Sequence, residues 1–389
     1  MDSPTTVSAS WSEFCDELKD VGLHVLGKYP AKTEDDAGET IQFVTRVLRG
    51  ALEYQLDGGD RKHPRLFCWD RGTAGAMPAA PSLDNTYYIA LIDPHETYRL
   101  TFEVSSIDEI NVSVHEHMIT GRRQMVYGDL TLKELTVIDG RVDLILSPHE
   151  HAPNWLKLAP EADWIQIRVY YMSWDNSGPP SISLECLSGT PASPYLPKST
   201  LIAGLNNTVK WMKETVDMYD SWMRQFLGSS LPNVFSPPHL VPGGVSHLYY
   251  GSAQFQLESG QALLVEFEVP MADYWSIQWH QMPWGDSADF MRNVTSLNHR
   301  QARVDLDGRV RIVFAEKDPG VQNWIGTAGR RTGVIIYRWR NSKTAPIPTA
   351  QLLADGDIAR ALPADTPQFD APSRREQLAQ RRTHLARRY

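Results

Sequence analysis

The hydrophobic pattern of this chain changes period along its length. Near the N-terminus Trp11, Phe14, Leu18, Val21 and Val25 recur at helical spacing, after a capping-box pattern from Ser10 to Glu13. A second helix is expected after Thr33, with Ile41, Val44, Leu48 and Leu52 on its apolar face and an end near Gly58-Gly59. From Thr86 the period drops to two and the turns shorten, so TYRLTFEV, EINVSV, RVDLILS and IQIRVYY are expected strands. Gly204 to Phe226 is the clearest helix, carrying Leu205, Val209, Met212, Val216, Tyr219, Met223 and Phe226 on one face and stopped by Gly228 and Pro232. Strand patterns then resume in HLYYGSAQFQL, ALLVEFEV, YWSIQWHQM, RVRIVFAE and GVIIYRWR.

The two strand-rich halves share landmarks in the same order. TYY at Thr86 answers LYY at Leu248, LTFEV at Leu100 answers VEFEV at Val265, and DGRV at Asp139 recurs unchanged at Asp307. Asn154-Trp155 recurs as Asn323-Trp324, and a strand bearing Arg168 or Arg338 follows. The offset grows only from 162 (Thr86 to Leu248) to 170 (Arg168 to Arg338), as small loop changes would produce. Ordered matches at a drifting offset indicate an internal duplication. Asp-Gly before a strand is turn chemistry, because Gly tolerates positive φ. Both Asn-Trp pairs are expected to be structural corners, with the Trp buried and the Asn bonded to backbone.

A length of 389 residues exceeds the usual single core. The expected fold is mainly β: two related sandwich or jelly-roll-like modules with helical additions. The expected division is an N-terminal helical segment over 1–60, a first module over 61–187, a linker and long helix over 188–232, a second module over 233–348, and a helical Arg-rich tail over 349–389.

Composition narrows the partners. A net charge of -9 argues against a nucleic-acid-binding surface. The exception is the stretch from Ser373 to Tyr389 with its six Arg, expected to be a solvated helix capped by Ser373 and Glu376 or an arm that docks subunits into a homo-oligomer. Cys15, Cys68 and Cys186 are too scattered for a disulfide framework or a thiolate metal site. The N-terminus shows no signal-peptide pattern and no stretch approaches the roughly 18 apolar residues of a membrane span, so a cytoplasmic protein without a membrane partner is expected.

The segment DPGVQNWIGTAGRRTGVIIYRW, Asp318 to Trp339, resembles the bacterial domain-of-unknown-function family 1214, in which a DG-led strand, DPG, NW, a Gly-containing turn and a strand ending in Arg-Trp or Arg-Tyr follow one another. YWSIQW at Tyr274, TSLNHRQA at Thr295 and the ending RRTHLARRY resemble its long actinobacterial members. The first half resembles the family more loosely, through DNTYYIALIDPHETYRL and NWLKL. The resemblance implies β-sandwich or jelly-roll modules and no particular activity.

No GxGxxG, Walker A, GxSxG or HExxH pattern is present, and no cofactor is expected. Two HxH pairs, His115 with His117 and His149 with His151, would place imidazoles on one side of an extended segment and are the candidate metal ligands. The bland reading is solvated histidine, the more so as Pro148 and Pro153 bracket the second pair. In YWSIQWH, Trp275, Ile277 and Trp279 share one face, while Tyr274, Ser276, Gln278 and His280 share the other. One face is core. The other could line a ligand pocket with Trp284, joined by Asn298, Asp318, Asn323 and Arg338 if the fold brings their strands together. The function expected is binding, with or without transformation, of a small hydrophobic or aromatic metabolite. A His-ligated metalloenzyme, a carbohydrate-binding protein and a non-catalytic assembly protein are the alternatives.

Overall fold

The computed structural model describes residues 4–31, 33–68, 80–116, 125–174, 178–189, 196–228, 231–241, 244–287 and 289–388. In chain order the helices are α1 (Pro4–Lys28), α2 (Glu34–Leu52), α3 (Lys198–Gly228), α4 (Ile358–Ala361) and α5 (Ala371–Arg388). The strands of the first half are β1 (Phe67–Cys68), β2 (Asn85–Leu91), β3 (Tyr98–Glu103), β4 (Glu109–His115), β5 (Val126–Thr131), β6 (Arg141–Ser147), β7 (Trp155–Lys157), β8 (Trp164–Tyr170) and β9 (Ile182–Cys186). Those of the second half are β10 (His239–Leu240), β11 (Leu248–Gln256), β12 (Gln261–Glu268), β13 (Tyr274–His280), β14 (Ser296–Asn298), β15 (Arg309–Ala315), β16 (Trp324–Gly326), β17 (Thr332–Arg340) and β18 (Thr349–Ala354).

The duplication is visible in the sheets. The first half makes a five-stranded sheet ordered β1-β2-β8-β4-β5 and a four-stranded sheet ordered β7-β6-β3-β9. The second half repeats both orders, as β10-β11-β17-β13-β14 and β16-β15-β12-β18. A parallel contact is copied as well: β6 with β7 and β15 with β16.

The chain folds as two compact units that do not follow it in simple order. Unit 1 comprises Met1–Pro78, Thr86–Val169 and Pro180–Asp220; unit 2 comprises Ala79–Asn85, Tyr170–Pro179 and Ser221–Tyr389. In unit 2 the two sheets enclose a core of Phe255, Val265, Phe267, Trp275, Ile277, Trp279, Ile312, Phe314, Ile335, Tyr337 and Trp339. Full burial of one such side chain stabilises by about 1.5–3 kcal/mol. The alternation in YWSIQWH is therefore realised, with the two Trp inside the sandwich and the polar set on the outer face of the five-stranded sheet.

Several helical expectations need correction. Helix α1 starts at Pro4, so Ser10 lies inside it and caps nothing; Trp11 is exposed while Phe14, Val21 and Val25 are buried. Thr33 does cap α2, in a box with Asp36, but the buried stripe is Phe43, Val47, Ala51 and Tyr54 rather than the Ile41 stripe. Both stripes have helical spacing, and the larger aromatic set wins the interior. Helix α3 buries Val209, Met212, Val216, Tyr219 and Met223 of its expected face, while Leu205 is only partly buried and the Phe226 side chain lies outside the described residues.

The tail departs furthest from expectation. Asp370 caps α5, its carboxylate accepting from the Ser373 N–H at 2.9 Å, so Ser373 is not the cap. Nor is the helix solvated all round: Arg374, Arg381, His384, Leu385 and Arg388 are buried against unit 2. The buried stripe consists largely of arginines whose planar guanidinium groups lie over aromatic rings, so no apolar face announced it.

Candidate functional site

The outer face of the β10-β11-β17-β13-β14 sheet is neither solvated nor apolar. Strand register sets Asn298, Ser276, Arg338 and Tyr250 in one row across β14, β13, β17 and β11. The next rows hold Tyr274 beside Arg340 and His280 beside Val334. All these side chains except the half-buried Tyr250 are buried, covered by the 80–85 and 170–174 segments of the same unit and by α5.

Asp84 is a node on this face. Its Oδ2 accepts the Tyr274 hydroxyl at 2.6 Å, and its Oδ1 accepts the Trp174 Nε1–H and the Asn298 amide, each at 2.8 Å. Burial, and then the neighbouring Asp84 charge, push the Tyr274 phenol well above its ordinary pKa, so it remains the donor. The second Asn298 amide bond goes to the Met172 carbonyl at 2.8 Å. No guanidinium lies within 4 Å of this carboxylate among the described residues; its three donors are neutral side chains.

Beside the node lies a more open set of groups. Gln278 accepts from the Leu83 N–H at 3.0 Å and donates to the Ser287 hydroxyl at 3.1 Å. His280 is fully buried, and neither ring nitrogen makes a hydrogen bond; the Gly285 backbone is near it but outside bonding geometry. Burial first, and the Arg338 charge second, hold its pKa well below the ordinary value, so the ring is neutral at physiological pH. Arg338 donates one Nη to the Ala80 carbonyl and leaves the other buried without an acceptor. Val334, Ile336, Met223, Ala80, Tyr250 and Met282 form the apolar surroundings.

The sequence-predicted residues therefore divide. Gln278, His280, Asn298 and Arg338 share the face, and Trp284 is buried in the loop that follows β13. Asp318 and Asn323 do not join them. Arg374 of α5 holds the Asp318 carboxylate, with Nε at 2.9 Å. Asn323 is spent on backbone: it accepts from Arg303 N–H at 2.8 Å and donates to the Arg303 and Arg311 carbonyls at 2.7 and 3.0 Å. Asn154 makes the same three bonds, to Thr136 N–H, Thr136 O and Asp143 O. In each copy the following Trp donates its indole N–H to a strand carbonyl, Ser147 for Trp155 and Ala315 for Trp324. Both Asn are spent on backbone as a corner requires, and Trp324 is buried as expected, but Trp155 is only half-buried, against the expectation that both Trp are buried.

The histidine pairs are not gathered into one site. His115 is buried on β4, its Nε2 2.7 Å from the Ser113 hydroxyl and its ring stacked on Trp164, whereas His149 and His151 are exposed between β6 and β7. His117 lies outside the described residues. Among the described residues no group of three or more His, Cys, Asp and Glu side chains is placed to share a metal ion. No described helix is long and apolar enough to cross a membrane.

Sequence reasoning missed Asp84, Trp174, Arg381 and Arg388. Their partners lie up to 305 positions away, and no local spacing marks them. One signal lay close by: the repeat landmark TYY at Thr86, which answers LYY at Leu248, begins two residues after Asp84.

Comparison with known proteins supports the fold and no activity. A crystal structure of an uncharacterized protein from Burkholderia cenocepacia matches with a TM-score of 0.83 and 24% identity, covering 90% of this chain and 98% of its own. The VPA0106 protein from Vibrio parahaemolyticus matches with a TM-score of 0.45 and 9% identity, over 79% of this chain and 96% of that one. No curated protein sequence matches. Residues 248–343, which hold β11 to β17 and most of the polar face, match the model described as Protein of unknown function (DUF1214). Over residues 248–343 this chain is thus similar to the DUF1214 family.

Proposed function

We propose that the second module binds a small, largely apolar or aromatic metabolite against the outer face of its five-stranded sheet, with the ligand's polar group turned toward His280 and Arg338. The observation that carries this reading is the leftover hydrogen-bonding capacity there: both ring nitrogens of His280 and one Nη of Arg338 are buried without partners. Buried polar atoms are paired in the large majority of cases, and each exception calls for an explanation. A bound polar group that accepts from Arg338 and meets the neutral imidazole supplies one. The apolar surroundings of Met223, Val334 and Ile336 fit the remainder of such a ligand.

The test is native mass spectrometry and thermal unfolding of the full chain against lipophilic aromatic metabolites on one side and oligosaccharides on the other. The proposal expects a ligand from the first group to bind the parent and to lose at least tenfold in affinity in His280→Phe. Binding confined to oligosaccharides, or binding of neither group together with a more stable His280→Phe variant, overturns it.

A further inference from the structure

A second feature of unit 2 stands independently of that reading. Arg381 and Arg388 of α5 both approach the Trp174 ring, with guanidinium carbons 4.0 and 4.8 Å from its centroid, and Arg388 also lies 4.3 Å from that of Tyr171. Both arginines are nine-tenths or more buried. Neither has a carboxylate within salt-bridge distance among the described residues. Arg381 makes only long contacts to Ser296, 3.5 Å to its carbonyl and 3.3 Å to its hydroxyl, and its Nε–H has no acceptor. Arg388 donates to the Leu83 carbonyl at 2.7 Å and to His384 Nε2 at 2.7 Å, and its second Nη has no acceptor.

Charge accounting makes this arrangement unusual. The buried carboxylates of unit 2 are Asp84 and Asp305. Asp305 belongs to Arg303 and Arg311, at 3.3 and 2.9 Å. Asp84 accepts from Trp174, Asn298 and Tyr274 and makes no direct ion pair among the described residues. Two like charges thus share one aromatic ring with no carboxylate of the described residues in direct contact; the Asp84 charge reaches Arg381 only from beyond salt-bridge distance. Stacking on an indole recovers only part of the desolvation of a guanidinium, and it does nothing for mutual repulsion. Burial holds Arg381 down to about 10; the Asp84 charge opposes this and the Arg388 charge adds to it, and the group remains cationic at neutral pH.

We propose that Arg381 and Arg388 form a binding site for a small oxyanion, a carboxylate or phosphate, held by the unfilled Nε–H of Arg381 and Nη–H of Arg388 beside Trp174. Planar guanidinium groups match such oxygens in geometry and charge. The bound anion joins the tail helix to the 82–84 and 171–174 segments within unit 2, so loading the site stabilises the docked tail.

The test is thermal unfolding of the full chain, with isothermal titration calorimetry, in phosphate, malonate and chloride at equal ionic strength. The expected result is a saturable rise in Tm at millimolar phosphate or malonate and a stoichiometry near one. Whichever anion saturates at the lower concentration identifies the source. Arg388→Lys keeps the charge and removes the fork, and it should fold while losing at least tenfold in affinity. Arg375→Gln, an exposed arginine on the same helix, should bind as the parent does. A Tm that rises only linearly with salt, alike in all three anions or alike in the parent and Arg388→Lys, overturns the proposal and leaves a closed cation–π cluster.

Discussion

His280 ends β13 at the place where His115 ends β4. The two strands hold the same position in duplicated sheets, and both imidazoles are buried to within 1% exposure. An arginine, Arg338 or Arg168, adds to the burial that keeps each ring neutral. The duplication has thus copied a His–Arg pair, although the rest of the polar strand face has diverged from Asn111 and Ser113 to Ser276 and Gln278.

This pair predicts an acid-sensitive fold. The native pKa values lie well below the ordinary 6.5, so below pH 6.5 the unfolded chain takes up protons that the native state refuses. Stability therefore falls as pH drops from about 6.5 toward the native pKa, by up to about 1.4 kcal/mol per pH unit for each histidine, and is flat above it. Chemical denaturation at pH 7.5, 6.0 and 5.0 should show the fall. His115→Gln and His280→Gln should each reduce its slope; an unchanged slope in both would show that other groups govern acid unfolding.

The corners predict a different pattern of loss. Trp324 is buried with its indole bonded to Ala315, so Trp324→Ala should cost about 3–5 kcal/mol. Trp155 is only half-buried, and Trp155→Ala should cost less. Asn323→Ala and Asn154→Ala each strand a buried backbone N–H and carbonyls, at about 1–3 kcal/mol. Thermal melts of the four variants check the ordering, and a Trp324→Ala protein melting beside the parent would contradict it.

Gly251 should tolerate no side chain. It pairs directly with Tyr337, and a methyl group there would sit 2.2 Å from the phenol ring and hydroxyl. The ring crosses this gap to donate its hydroxyl to the Ser236 carbonyl at 2.7 Å. Gly251→Ala should destabilise by about 1–3 kcal/mol through overpacking, measured by urea denaturation. Adding Tyr337→Phe should not rescue it, because the ring carbons collide as well.

Asp84→Asn tests the node. An amide keeps one acceptor but turns a donor toward Tyr274, or toward Trp174 and Asn298. The loss should be about 1.5–3 kcal/mol, the range for hydrogen bonds to a charged group. Tyr274→Phe should cost less, since Asp84 retains two donors. Equal melting of Asp84→Asn and the parent would refute the node as a structural anchor.

Periodicity made much of this architecture legible. The strand runs, the copied turn at Asp139 and Asp307, the Thr33 cap and the α3 stripe were all readable because they are local. The polar face was half-legible: alternation in β13 separated Trp275 and Trp279 from Gln278 and His280, but not what covers the latter. Asp84 meets Asn298 across 214 positions, a pairing that only tertiary structure creates. His115 was grouped with His117 by adjacency, when its informative relation was to His280 at the offset the repeat already defined. Arginine defeats hydropathy patterns because its planar head stacks while counting as charge, which is why the α5 stripe looked solvated.

The interleaving of the units bears on any attempt to dissect the protein. A boundary drawn through the linker before α3 would look natural from the repeat, and it would yield a C-terminal fragment with every strand from β10 to β18. That fragment would nevertheless lack Asp84 and Trp174, which unit 2 takes from the 79–85 and 170–179 segments. Tyr274 and Asn298 would lose their shared acceptor, and Arg388 would lose the Leu83 carbonyl. Although the architecture is repeated, the polypeptide is not severable at the repeat: the second module closes its polar face with residues that flank most of the first module in sequence, and a working fragment must carry them, by fusion or by co-expression.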